Sequence, residues 1–398
     1  MPRFCFLTWN GAGNQPPAVA IAQALQMRGH EVVFAGYENQ RGYFNSGGFR
    51  FILLRNAAAA WRDEPPDRMF AVKLATAWAS VDHLDDVPDL IAAEQCDVVI
   101  ADCLMFGALA AVEKNRFPTA ALVHSAPGAL MPPGGQFESL ILRAVNDLRM
   151  QAGLAAVESL WEAWARFPAL SNSIRQLDPL AWKAPRAFNY LGPFVEQTPP
   201  VLWTSPWHSA DKRPLVLVSF STGPYWDQTS RVIRTLAALG DYDCRILVTA
   251  SSIELPANIV PDNAVVVSRV PHSEILPTVD VVVTHAGHGT VTSALKHGVP
   301  MLCLPNSVAD QPILADQVAV LGAGLSLDGE AATPAQIRSA IDALLNTPSY
   351  KASARRLARE IREAPGVAAA VFELERLADA TSTRHRRQSA AAFPRQGA

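Results

Sequence analysis

The chain has 398 residues, which at roughly 100–200 residues per domain reads as two domains. Hydrophobic residues make up 49% and charged residues 18%, which excludes a disordered chain and supplies two buried cores. The 34 Lys and Arg against 37 Asp and Glu leave a formal charge of −3, whereas a duplex-binding protein needs a positive field, so no nucleic-acid partner is expected. Cys5, Cys96, Cys103, Cys244 and Cys303 are scattered and form no C-x-x-C. They read as reduced, apolar core residues rather than a disulfide framework or a zinc site. No apolar run reaches the ~18–20 residues that span a bilayer, and Asn10, Gly11 and Gly13 interrupt the apolar start. The expectation is a cytoplasmic protein, monomer or homodimer, without stable membrane insertion.

Taken in chain order, short β-branched runs alternate with longer helical stretches. Phe4–Thr8, Val32–Ala35, Val98–Ala101 and Thr119–Val123 read as strands in the first half. Leu215–Phe220, Arg245–Thr249, Ala264–Val267, Val281–Thr284 and Met301–Leu304 read as strands in the second. Their nearly continuous apolar character is that of parallel strands covered on both faces. Helices fit between them. Ala18, Ile21, Ala22 and Leu25 recur at helical spacing, with Pro17 at the start and Gly29 past the end. Residues 136–178 read as a helical elaboration of the first domain without strand signals. The Gly192-Pro193 and Pro199-Pro200 punctuation marks a linker over 192–213. The assignment is therefore α/β, with two doubly wound Rossmann-like domains: 1–191, then 214–380. From Thr381 the chain turns rich in Ser, Arg and Ala and reads as a frayed tail, 381–398.

Open α/β sheets bind ligands at the carboxyl ends of their strands. The first such loop, Asn10-Gly11-Ala12-Gly13-Asn14-Gln15-Pro16-Pro17, starts like G-x-G-x-x-G, but Pro16 stands where the third glycine belongs, so a dinucleotide fingerprint is rejected. Ser219 to Gly223 offers small hydroxyls after a strand, suited to a ligand's oxygens or to a plain turn. The most informative segment is Thr284-His285-Ala286-Gly287-His288-Gly289-Thr290, a strand end, a glycine-rich turn and a helix start. Free N–H groups and the positive helix end would converge on an anion there, with His285 and Thr290 as added donors. A tight turn whose glycines serve packing is the alternative. No Gly-Lys-Ser/Thr follows, which excludes a P-loop. Asp310-Gln311, after the strand at Met301, suits vicinal hydroxyls or a solvated loop. Asp241-Tyr242-Asp243 spells Asp-x-Asp but sits at the wrong strand end and reads as a solvated turn. No metal site is expected.

In this order the motifs resemble the family 1 nucleotide-sugar glycosyltransferases of GT-B fold, particularly the bacterial enzymes acting on natural products such as macrolides. The resemblance runs over nearly the whole chain: the Gly-x-Gly loop, Arg28-Gly29-His30, Gly192-Pro193, Ser219 to Thr222, Val270-Pro271, the His285 to Thr290 cradle, Gly298-Val299-Pro300 and Asp310-Gln311. It implies two domains facing across a cleft and a metal-independent, inverting sugar transfer from a dTDP- or UDP-sugar. The nucleotide sugar would be a co-substrate, and no cofactor is implied. Thr222, His285, Gly287, His288, Gly289 and Thr290 would hold the diphosphate, Val270 would meet the base through its backbone, and Asp310 and Gln311 would bind the sugar. The acceptor would lie in the first domain near Trp9, Gly13, Trp78 and His124. Trp61, Met69, Phe70, Phe106, Phe137 and Trp161 are also concentrated in that half; most of these rings, Trp9 and Trp78 included, read as core rather than pocket, but their excess there favours a small apolar, aromatic or polyketide-like acceptor.

Two departures stand out. Family members usually carry a catalytic histidine in the first loop, as Gly-His-x-x-Pro. Here Asn14 occupies that slot, and an amide accepts no proton near neutral pH. Asp102 matches the aspartate that orients that histidine. Three readings follow: Asp102 acts as base, directly or through water, with Asn14 positioning the acceptor, or is a buried structural aspartate; His124 replaces the histidine, although its residue type and place at a strand end read first as a satisfied structural histidine; or the acceptor needs little base, as in C- or N-glycosylation. An auxiliary, catalytically impaired homologue is a further alternative. The second departure is Ser293, where many relatives place a ribose-binding glutamate; Arg269 and His272 also differ from plant relatives. The shorter side chain favours a dTDP-sugar over a UDP-sugar.

Overall fold

The computed structural model describes residues 1–60, 70–197, 203–220, 227–250, 253, 255–307 and 309–392. Among the described residues, thirteen strands form two parallel sheets. The first sheet has seven: β1 (Arg3–Leu7), β2 (Glu31–Gly36), β3 (Arg50–Leu53), β4 (Val98–Asp102), β5 (Thr119–Val123), β6 (Ala169–Ser171) and β7 (Phe188–Tyr190), in the order β3-β2-β1-β4-β5-β6-β7. The second has six: β8 (Leu215–Ser219), β9 (Arg245–Thr249), β10 (Ala264–Val267), β11 (Val281–Thr284), β12 (Met301–Cys303) and β13 (Gly324–Ser326), in the order β10-β9-β8-β11-β12-β13. Both orders reverse direction once, between β1 and β4 and between β8 and β11. A crevice opens at such a switch point, outside the strand carboxyl ends.

The period-two alternation of strand side chains feeds two layers in each domain. From β1, Cys5 and Leu7 enter one cluster while Phe4 and Phe6 enter the opposite one. From β8, Leu215 and Leu217 go one way and Val216 and Val218 the other. All five cysteines are buried and free.

Four strands escaped the sequence reading: β3, β6, β7 and β13. Three of these have only three residues, too short to show a period. Strand β6 lies within 136–178, so that stretch is not purely helical: helices Gln136–Gln151 and Leu160–Ala165 precede it. The end of the chain differs more. The last helix, Gly366–Ala392, runs into the stretch expected to fray, where Arg and Ala favour helix. It also leaves the second domain. Ala370, Val371, Leu374 and Ala378 pack with Phe4, Phe6, Ile21 and Leu25 of the first. Gly192 sits where the outgoing and returning chains meet. Its φ of 86° and the 2.5 Å between a built Cβ and Ala364 Cβ both require glycine.

Candidate active site

The first loop, Asp102, the His285 to Thr290 cradle and Asp310-Gln311 all follow strand carboxyl ends near the two switch points. In the first domain, Asn14 follows β1 and Asp102 ends β4, on adjacent strands. Asn14 is the N-cap of helix Gln15–Met27 but makes no side-chain cap hydrogen bond. Its amide turns elsewhere: the two hydrogens of Nδ2 are shared among Thr8 Oγ1 (3.1 Å), Trp9 O (3.0 Å) and Asp102 Oδ2 (3.2 Å). Its Oδ1 accepts from Gly11 N at 3.2 Å. With 1% exposure and every polar atom engaged, Asn14 has nothing left for an acceptor. The expectation that it positions the acceptor is therefore replaced: it ties the first loop to Asp102.

Asp102 is 2% exposed and accepts four hydrogen bonds. Oδ1 takes Trp9 Nε1 (3.2 Å) and Leu104 N (3.0 Å); Oδ2 takes Asn14 Nδ2 and His124 Nδ1 (2.9 Å). A carboxylate offers about four lone-pair positions, so Asp102 is saturated. His124, just past β5, comes beside it because β4 and β5 run in parallel register, Asp102 opposite Leu122. Asn172 Nδ2 holds the His124 carbonyl at 3.0 Å. Burial pulls the His124 pKa down, but the charge and hydrogen bond of Asp102, with Asp310 behind, outweigh it and leave it above the ordinary histidine value. Cys103 completes a trio with Asp102 and His124 whose ligand atoms lie within 4.8 Å of one another. That spacing could hold a metal ion, which scattered sequence positions could not reveal. Cys103 is itself fully buried, and its thiol pKa is pushed well up, by burial first and Asp102 second.

Trp9 and Trp78, candidates for the acceptor surface, are 8% and 3% exposed and meet edge to face at 5.0 Å. Their rings belong to the first-domain core, since burying so much apolar area outweighs leaving it at a surface. Trp161 and Phe106 join the same core. Gly13 is exposed, with nothing within 4 Å of where a Cβ would stand. Trp61 and Met69 lie outside the described residues.

In the second domain, β11 leads into helix His288–Lys296, with Gly287 as N-cap. The His285 ring lies against Gly287, so a Cβ there would collide with it. Gly289 is open to solvent and Thr290 half-buried. His285 Nδ1 and both ring nitrogens of His288 are buried and have no hydrogen-bond partner among the described residues. Burial, and after it Arg231, lowers the His285 pKa to about 4; burial, and after it His124, lowers His288 to about 3. Both are neutral at pH 7. Unpaired buried donors beside a helix N-terminus cost free energy unless a ligand meets them. Thr222 lies outside the described residues. The Val270 side chain is in the core, which leaves its backbone for contact.

Asp310 repeats the behaviour of Asn14. It is the N-cap of helix Gln311–Val320 without a side-chain cap bond, and its Oδ2 instead accepts from Ser125 Oγ at 2.6 Å, across the two domains. Burial raises its pKa, against the Ser125 bond and the His124 charge. Gln311 Oε1 accepts from Asn306 N (3.1 Å) and Nδ2 (2.8 Å). Three alanines in these loops, Ala12 (φ 58°), Ala286 (φ 63°) and Ala309 (φ 59°), hold left-handed backbone that disfavours a Cβ. Strained residues of this kind concentrate at functional loops. The Asp-x-Asp turn is solvated: Asp241 and Asp243 side chains are 82% and 90% exposed.

The sequence named Ser219 and His272 separately but not their contact, and did not single out Arg231. Ser219 Oγ meets His272 Nε2 (3.1 Å) and Thr249 Oγ1 (3.0 Å) at the ends of β8 and β9. Arg231, 2% exposed, reaches Gln228 Oε1 and Pro305 O, both at 3.4 Å. A helical arginine amid apolar neighbours was the one available signal.

Two parallel-sheet Rossmann-like domains with facing switch-point loops define the GT-B fold. Residues 233–377 match the family model for the erythromycin biosynthesis protein CIII-like, C-terminal domain. The chain is similar to 4'-demethylrebeccamycin synthase of Lentzea aerocolonigenes, with 27% identity over 94% of this chain and 99% of that one. It is also similar to 3-alpha-mycarosylerythronolide B desosaminyl transferase of Saccharopolyspora erythraea, with 37% identity but over 36% of this chain and 34% of that one. Among solved structures, the glycotransferase of kitacinnamycin has a TM-score of 0.76 at 20% identity, covering 94% of this chain and 99% of that one. Glycosyltransferase VinC in complex with dTDP has a TM-score of 0.69 at 22% identity, covering 95% and 99%. Residues 233–377 thus carry the CIII-like C-terminal domain, the chain as a whole has the GT-B fold, and the relatives it resembles are natural-product glycosyltransferases. No described helix is long and apolar enough to cross a membrane.

Proposed function

We propose that the chain moves a sugar, a deoxysugar among the candidates, from a dTDP-sugar to an apolar aromatic or polyketide-like acceptor with inversion at the anomeric carbon. The observation that carries this reading is the Ser125–Asp310 contact, which joins the crevice of the first domain to the donor residues of the second. The diphosphate meets the first-turn N–H groups at His288 to Thr290, with His285 Nδ1 as a further donor. These stabilise the charge that develops on the leaving group. Asp310 and Gln311 take the sugar hydroxyls, and donor binding displaces Ser125 from Asp310. Ser293 favours dTDP, in keeping with the dTDP held by VinC. The role implied for Thr222 rests on its motif.

Calorimetric titration with dTDP and UDP, followed by turnover with a panel of phenols and polyketide aglycones, tests the proposal. Tighter binding of dTDP and transfer to apolar acceptors are expected. Tighter binding of UDP would refute the nucleotide assignment. Asn14 in the histidine slot motivates a second reading, an auxiliary homologue, for which nucleotide binding without transfer to any acceptor would speak.

A further inference from the structure

We propose that His124 Nε2 removes the proton from the acceptor, with Asp102 as its positioning residue, so that the catalytic base has moved from the first loop to the end of β5. The inference rests on the glycosyl-transfer reading above. Elimination narrows the field first. The Asn14 amide is no base, and its polar atoms are all engaged. Asp102 accepts four hydrogen bonds at 2% exposure and has no lone pair to offer an acceptor.

His124 has what the other two lack. Its Nδ1 is fixed on Asp102 Oδ2, which makes Nδ1–H the donor and leaves Nε2 as the basic atom. Nε2 has no partner among the described residues, and it is absent from the buried unpartnered atoms. The His124 side chain retains 11% exposure, against 2% for Asp102. Its location fits as well. The adjacent Ser125 reaches Asp310 of the donor domain, so Nε2 stands where acceptor and sugar must meet. Asp102, Asp310, Cys103 and His288 are the titratable groups that face the ring. The two carboxylates favour the imidazolium that forms.

The step balances. The acceptor oxygen forms a bond to C1 as its proton passes to His124 Nε2. The C1–O bond to the diphosphate breaks, and the nucleotide leaves with the electron pair. The imidazolium, held by Asp102, later returns its proton to water. A base oriented by a third group follows the same logic as other activated nucleophiles.

His124→Gln tests this in the full chain. Glutamine can still donate to Asp102 but cannot take a proton. Two acceptors are compared, each with a dTDP-sugar: 4-methoxyphenol, which needs a base, and 4-nitrothiophenol, which attacks as the thiolate. The variant is expected to lose about 10²–10⁴-fold in kcat with the phenol and less than about tenfold with the thiolate. The rising limb of the phenol pH profile should vanish while dTDP affinity stays within about twofold of wild type. Full activity on the phenol, or equal losses on both acceptors with weakened dTDP binding, would overturn the assignment. Wild-type chain that binds dTDP but transfers to neither acceptor would overturn the transferase reading instead.

Discussion

Replacing Asp102 by Asn probes the site at its centre. The carboxylate sits among four donors, two on each oxygen. Asparagine must put an NH₂ group where one oxygen was, opposite two of them. Each buried donor left unmet costs about 1–3 kcal/mol, so an unrelaxed site would lose roughly 2–6 kcal/mol. One escape exists on the Oδ2 side. The His124 proton can shift from Nδ1 to Nε2, so that Nδ1 accepts from the new amide. That relief keeps the fold but leaves a protonated, non-basic Nε2. Asp102→Asn should therefore lower kcat with 4-methoxyphenol by about 10²–10⁴-fold. The pH profile supplies a sign. Activity rises as His124 loses its proton, and the Asp102 charge holds that pKa above the ordinary value. Without the charge, the limb must move to lower pH. Initial rates of dTDP release between about pH 5.5 and 9 measure both quantities, and dTDP titration reports whether the donor domain is intact. Activity within about threefold of wild type, with the limb unmoved, would refute the reasoning.

Other consequences follow from burial. His83 and His285 are held near pKa 4 and His288 near 3, chiefly by desolvation, so each stays neutral in the fold and protonates on unfolding. Because the unfolded chain binds more protons below its histidine pKa, stability must fall as pH drops from about 7 to 5, by about 2 kcal/mol per histidine. Urea midpoints at the two pH values check this, and an unchanged midpoint would contradict it. Leu374→Ala tests the docking of the last helix on the first domain. Leu374 is fully buried against that core, so truncation costs about 2–5 kcal/mol. Hydrogen exchange over residues 15–27 should quicken by about 30-fold or more at the lower end of that range. Faster exchange confined to the second domain would place the helix elsewhere.

Much of this architecture was legible because parallel strands buried on both faces announce themselves as apolar runs. Thr119–Val123, Arg245–Thr249, Ala264–Val267 and Val281–Thr284 have the bounds read from sequence. Strands β6, β7 and β13 did not, since three residues cannot show alternation. The cradle was equally legible, being a local motif in which strand, glycines and helix start are consecutive. The Asp102–His124 pair was not. Both residues could be seen at strand ends, but only the register of β4 on β5 brings a carboxylate to 2.9 Å from an imidazole 22 positions away. Asn14 was misjudged for a related reason. An asparagine in the histidine slot suggests a polar group facing the acceptor, and only the fold shows its amide spent on Asp102. Trp78 was a candidate for the acceptor surface because residue type alone does not distinguish a core ring from a pocket wall.

The central claim is a single displacement in which an acceptor deprotonated by His124 attacks C1 from the face opposite the diphosphate. The anomeric configuration of the product measures it most directly. With an α-linked dTDP-sugar and 4-methoxyphenol, proton NMR of the purified glycoside should show only the β-anomer. An α-glycoside would mean retention, and with it a mechanism that His124 acting as a simple base cannot supply.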